Sequence, residues 1–245
     1  MSKQRSVLAG RGPARGKRLR RLVQVSAVAI GVGLLAACGS PVKFGSAAVL
    51  GSDRITISNL NTEVSNLNAT VKQYPGVITL NQTQQTQETL GWLVKFQITD
   101  RLAEQNGITV STAQAQSALN EIYTTAKAEA EQAGVKNVTL PLIMAANGIP
   151  PNQSAELGRY EAIENQFAAQ ANGGSAPSTS AQDTAVTSQL NKATCQAAKS
   201  LNIEVNPQYG RLNYSSYTIV AAPSEVFRSG GAAKATSSAG ATPAC

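Results

Sequence analysis

Ala47-Ala48-Val49-Leu50-Gly51-Ser52-Asp53-Arg54-Ile55-Thr56 reads as a strand, a tight turn and a second short strand. Gly51 to Asp53 carry the turn chemistry, and Ile55 to Ile57 are β-prone. Ser58 then stands where a helix N-cap belongs. Leu60, Val64, Leu67 and Val71 follow at spacings of four, three and four, which is one apolar face of a helix, and Pro75-Gly76 ends it. A short hairpin running directly into an amphipathic helix predicts a mainly helical fold with a small amount of strand.

The chain beyond Pro75 repeats the helical theme. A second helix is expected from about Thr83 to Asn106, burying Leu90, Leu93, Val94, Ile98 and Leu102, with Asn106-Gly107 as its stop. Ser111 or Thr112 caps a third, carrying Ala115, Leu119, Ile122, Tyr123 and Ala126, and Gly134 closes it. Val138 to Ala145 reads as a short helix or turn. A further helix spans about Ser154 to Gln170 through Leu157, Tyr160, Ile163, Glu164 and Phe167. After the Gly- and Ser-rich stretch 171–180, a last helix covers about Ala181 to Ser200. Ile203-Glu204-Val205 is a strand candidate, Asn206 to Gly210 a turn, and Leu212 to Val220 one more extended piece. Pairing the strand near Val49 with that near Ile203 would join the two ends of the domain and cover an exposed edge. From Pro223 the Gly, Ala, Ser and Thr content predicts a disordered tail.

Upstream of the hairpin the chain changes character. Lys3, Arg5, Arg11, Arg15, Lys17, Arg18, Arg20 and Arg21 precede an almost wholly apolar run from Leu22 to Ala37, with no acidic residue before Cys38. That run suits a signal-peptide core and is short for a membrane span. It closes on Leu35-Ala36-Ala37-Cys38, a bacterial lipobox. Cys38 is therefore expected to receive a diacylglycerol, lose the preceding peptide and take an N-acyl chain. Arg20-Arg21 lacks the rest of a twin-arginine pattern, so the general secretory route is favoured. The expected organisation is a signal peptide at 1–37, a lipidated tether at 38–46, a folded domain at 47–222 and a tail at 223–245.

Removing that leader reverses the charge argument. The chain holds 21 Lys and Arg against 14 Asp and Glu, but eight of the basic residues precede Cys38. The mature part is left with 13 basic and 14 acidic residues, and its apparent affinity for nucleic acid disappears. Of the three cysteines, Cys38 is assigned to lipid. Cys195 and Cys245 then form a candidate disulfide in an oxidising compartment, the alternative being a buried thiol and a loose terminus.

The sequence argues against catalysis. It contains no histidine, which removes the usual general base, the Ser-His and Cys-His schemes and most zinc sites. Glu129 and Glu131 face different ways on a helix, whereas Glu161 and Glu164 share a face beside Arg159. All four read as solvated surface, and Asp53-Arg54 as turn chemistry. Gly173-Gly174 lacks the Lys-Ser/Thr of a phosphate loop, and the five Asn-x-Ser/Thr sequons, such as those at Asn68 and Asn81, carry no weight in a bacterial lipoprotein. Trp92 and Phe96, four apart and off the main apolar stripe, are candidates for an exposed client-binding groove or for packing against another helix. No cofactor or metal is expected apart from the lipid on Cys38.

Three stretches carry a resemblance to the N-terminal domain of SurA-type periplasmic chaperones and related foldase lipoproteins. The first, Ala48 to Leu60, is similar to the family's "A-x-V-x-G-x-x-I-T-x-x-x-L" opening, one residue looser around the glycine. The second runs from Thr89 to Asn106 into Gly107-Ile108-Thr109-Val110-Ser111. The third, Ile203 to Gly210, resembles the "V-x-V-N-P-R-Y/F-G" strand and turn. The resemblance implies a non-enzymatic, lipid-anchored chaperone on the extracytoplasmic face of a cell membrane, binding unfolded or exported polypeptides. The competing expectation is an accessory lipoprotein that docks one envelope partner. The family's parvulin domain has no counterpart here: only 35 residues follow Gly210 and histidine is lacking, so isomerase activity is not implied.

Overall fold

A computed structural model describes residues 44–222. The signal peptide, Cys38, most of the tether, the tail and Cys245 lie outside the described residues. The hairpin forms as read: β1 (Ser46–Leu50) pairs antiparallel with β2 (Asp53–Thr56), with an irregularity in register between Ser46 and Ala48. Helix α1 (Ile57–Val71) follows without a loop. Its cap is Thr56 and not Ser58; the Thr56 hydroxyl accepts from the Asn59 backbone N–H at 3.0 Å. The β-prone Ile57 thus serves as the first helical residue, half-buried against the main core.

Helices α2 (Gln82–Asn106), α3 (Thr112–Gln132) and α6 (Ser180–Ser200) each begin with a capping box, Asn81 with Gln84, Ser111 with Gln114 and Thr179 with Gln182. In each box the cap side chain accepts from the third helical N–H while the glutamine reaches back to the cap's own N–H. Helix α4 (Leu140–Ala146) and a single 3-10 turn (Pro151–Gln153) lead into α5 (Ser154–Ala171).

After α6 the chain re-enters the sheet. Strand β3 (Ile203–Val205) pairs antiparallel with β1, Ala48 opposite Val205 and Leu50 opposite Ile203, so the sheet order is β2-β1-β3. Leu212 to Val220 is not one extended piece. It folds back as a second hairpin, β4 (Arg211–Asn213) against β5 (Thr218–Val220). The turn between them holds Tyr217 at φ 52°, a left-handed conformation that a bulky residue does not advertise in sequence.

The main core joins the sheet to four helices: Ala47, Ala48 and Leu50 of β1, Leu60 of α1, Leu90, Val94, Ile98 and Leu102 of α2, Ile163 and Phe167 of α5, and Ala197 and Ala198 of α6. Two smaller clusters sit outside it, one around Leu67, Ile78, Leu142 and Ala145, the other around Phe96, Met144, Ile149 and Leu157. Helix α3 buries little, Ala118 alone falling in the buried class, and is held mainly by its long contact with α5.

Candidate functional site

Trp92 and Phe96 are brought together, but as core. Their ring centroids lie 5.7 Å apart, and Tyr160 of α5 closes the group at 5.8 Å from Trp92 and 6.2 Å from Phe96. Phe96 is 5% exposed. Trp92 is half-buried, and its indole N–H donates to the Asn147 carbonyl at 2.9 Å. Of the two alternatives open in sequence, an exposed groove or packing against another helix, these contacts match the second, with α5 and the loop after α4 as the partners. Both side chains leave the main α2 stripe because a second apolar cluster waits on that side.

Charge surrounds these rings in a way the sequence does not disclose. The Lys95 ammonium sits 4.4 Å from the centre of the Trp92 ring. Burial lowers the Lys95 pKa, against the pull of Glu88 and Glu164. Burial raises Tyr160, and the Glu164 carboxylate beside it adds to the effect. Glu164 itself is pushed up by burial, partly opposed by the Tyr160 hydroxyl, and Glu161 is pushed up by burial and by Glu121 across the α3–α5 contact. Arg159 relieves neither: it turns to Asp100 of α2, both its Nε and Nη2 donating to Oδ1 at 2.8 Å. Glu161 and Glu164 are thus half-buried packing residues, whereas Glu129 and Glu131 are exposed and Glu131 pairs with Lys127 at 3.6 Å.

A pH dependence follows from Glu161 and Glu164. Both carboxyls hold a proton more tightly in the folded than in the unfolded chain. Their contribution to stability is therefore greatest below the ordinary carboxylate range and declines as pH rises through their folded values. Glu161→Gln removes one share of that decline. Parent and variant should be equally stable near about pH 4 and diverge toward neutrality, the variant becoming the more stable. Urea denaturation at several pH values checks this; a gap that stays constant with pH contradicts it.

An opening of about 440 Å³ lies elsewhere, at the turn end of the first hairpin. It is lined by Leu50, Ser52, Asp53, Arg54 and Ile55 of the first hairpin, Asn59 of α1, and Leu93 and Gln97 of α2. Leu50 and Ile55 are buried, Leu93 and Gln97 half-buried, and Ser52, Asp53, Arg54 and Asn59 exposed. The sheet order puts β2 on the edge, so one side of its backbone has no strand partner among the described residues. In sequence Asp53-Arg54 reads as turn chemistry; the structure places both in β2 on the rim of this cavity. Leu93, expected on the buried face with Leu90 and Val94, is instead half-buried at this opening, and nothing in the sequence sets it apart from them.

The lining offers amide, hydroxyl, carboxylate, guanidinium and apolar groups. It can bind backbone and side chains, but it lacks an activated nucleophile with a base. Among the described residues no three His, Cys, Asp or Glu side chains converge as a metal-binding group, and no helix is long and apolar enough to cross a membrane. Cys195 lies on α6, 8% exposed, with its sulfur in a disulfide. No protein-family model, curated protein or solved structure matches the chain.

Proposed function

We propose that this chain is a lipid-anchored protein of the bacterial envelope that holds unfolded or exported polypeptides without covalent chemistry. The lipobox at Cys38 and the SurA-like order of motifs support the location and the class. The observation that carries the binding reading is the cavity lined by β2, a strand with no partner on one side among the described residues. A strand edge presents N–H and C=O groups at the spacing of another extended chain, so it recognises backbone whatever the client's sequence. The apolar walls of Leu50, Ile55 and Leu93 would take an occasional client side chain.

This differs from a broad apolar cradle. Among the described residues Phe44 and Val77 are the large apolar side chains left exposed, too few and too scattered to form one. Binding through a short edge is weak and replaceable, which suits shielding better than tight recognition. The exposed Asp53 and Arg54 on the rim favour the second reading, an accessory lipoprotein with one envelope partner, because paired charges can set register with a specific surface. Cys195 and Cys245 remain the proposed disulfide, tying the tail to α6.

Two experiments test these points. Cys38→Ala should release the protein from membranes into the soluble fraction; a protein still sedimenting with membranes would overturn the lipid anchor. The mature chain from Gly39 should slow aggregation of several unrelated unfolded proteins, and Gln97→Trp, which fills the cavity, should abolish most of that effect. Failure to slow any of them, together with capture of one stoichiometric partner, would favour the accessory reading.

A further inference from the structure

Phe44 is fully exposed (105%), and it stands where the described domain meets the tether. The three residues that follow it are fastened to the fold. Gly45, at φ +81°, turns the chain into β1, and its carbonyl accepts from the Ile57 N–H at 2.9 Å. The Ser46 and Ala47 carbonyls accept from the Asn206 side chain at 3.2 Å and the Asn206 backbone at 2.8 Å. The aromatic ring therefore projects from a platform fastened to both α1 and the exit of β3. A single exposed ring is ordinary on a protein surface, but one held on such a platform is available to a surface brought close to it.

The length of chain beyond the described residues says what that is. Six peptide steps separate Cys38 from Phe44, so the Phe44 backbone lies at most about 22 Å from the lipidated cysteine even with the tether fully extended. Lipid on Cys38 would place that residue at the headgroup level, and the headgroup layer itself takes up roughly 5–7 Å of the span. Apolar side chains such as Phe, Trp and Leu on membrane-surface segments bury at the headgroup–acyl boundary, and the neighbouring Lys43 favours anionic headgroups. We infer that Phe44 is a second membrane contact, inserting at the headgroup boundary and holding the Phe44 pole of the domain against the bilayer. The acyl chains supply the affinity and the ring supplies orientation.

The inference rests on the lipid-anchor reading, and one experiment separates the two. Full-length lipidated protein carrying Phe44→Trp is reconstituted in phosphatidylethanolamine–phosphatidylglycerol vesicles, and its emission is compared with that of the parent, whose sole tryptophan is Trp92. The added emission should be shifted to the blue and quenched by brominated acyl chains, more by bromines near the carbonyl end than near the methyl end. The fold is indifferent to this change because the side chain at 44 is exposed. Protein that co-sediments with vesicles while the added emission stays red and unquenched overturns the Phe44 contact and leaves the lipid anchor standing. Protein that does not co-sediment overturns both.

Discussion

Gly158→Val should destabilise the domain by about 3 kcal/mol, and Gly158→Ala by about 2 kcal/mol, when measured by urea denaturation. Gly158 lies within α5, and a Cβ there would sit 2.4 Å from the Ala115 carbonyl oxygen and 3.1 Å from the Leu119 Cβ of α3. The nearest atom is backbone, so relief requires the helices to separate and not merely a side chain to rotate. In an ordinary helix interior Gly→Ala stabilises by up to about 1 kcal/mol, since alanine has the better helix propensity. The opposite sign is the informative outcome. Helix α3 has little buried surface of its own, so the loss should fall on it first. Amide exchange across Thr112–Gln132 should accelerate before that of α2. An alanine variant as stable as the parent would mean that α3 and α5 do not approach as described.

Ile163→Ala should cost about 3 to 4 kcal/mol by the same measurement, with the denaturant slope unchanged. Ile163 is fully buried (0% exposed) one turn before Phe167, in the main core that also holds Leu90, Val94 and Ile98 of α2 and Ala197 of α6. The neighbouring side chains come from rigid helices on two sides, which limits collapse into the space left behind. A loss below about 1 kcal/mol would indicate a site that relaxes freely, at odds with a closed core.

Much of the local structure is legible from residue order. Period-3.6 stripes and cap residues locate most of the helices to within a residue or two, although α1 stops at Val71, ahead of the expected Pro75-Gly76. The Gly51–Asp53 turn and the strands on either side are equally readable. Differences arise where neighbouring residues compete for one role. Thr56 takes the cap expected of Ser58, and the hairpin turn at Tyr217 carries no glycine signature of its own. Glu161 and Glu164 look solvated because their own helix would expose them; the burial that shifts both, and the Glu121 of α3 that repels Glu161, depend on how the helices pack.

The candidate site is less legible. Its residues are drawn from two strands, the turn between them and two helices scattered between Leu50 and Gln97, and no motif marks such a set. Trp92 and Phe96 illustrate the reverse difficulty: their position off the main stripe is visible, yet whether α5 or solvent meets them is not. Residue order alone settles the helical class, the hairpin that opens the domain, the near-neutral charge after Cys38 and the lack of histidine chemistry. The edge position of β2, the burial of the aromatic trio and the place of the cavity emerge only once the elements are assembled. The reason is physical: periodicity encodes which face of an element is apolar, while the partner that covers that face is settled by long-range packing among all of them.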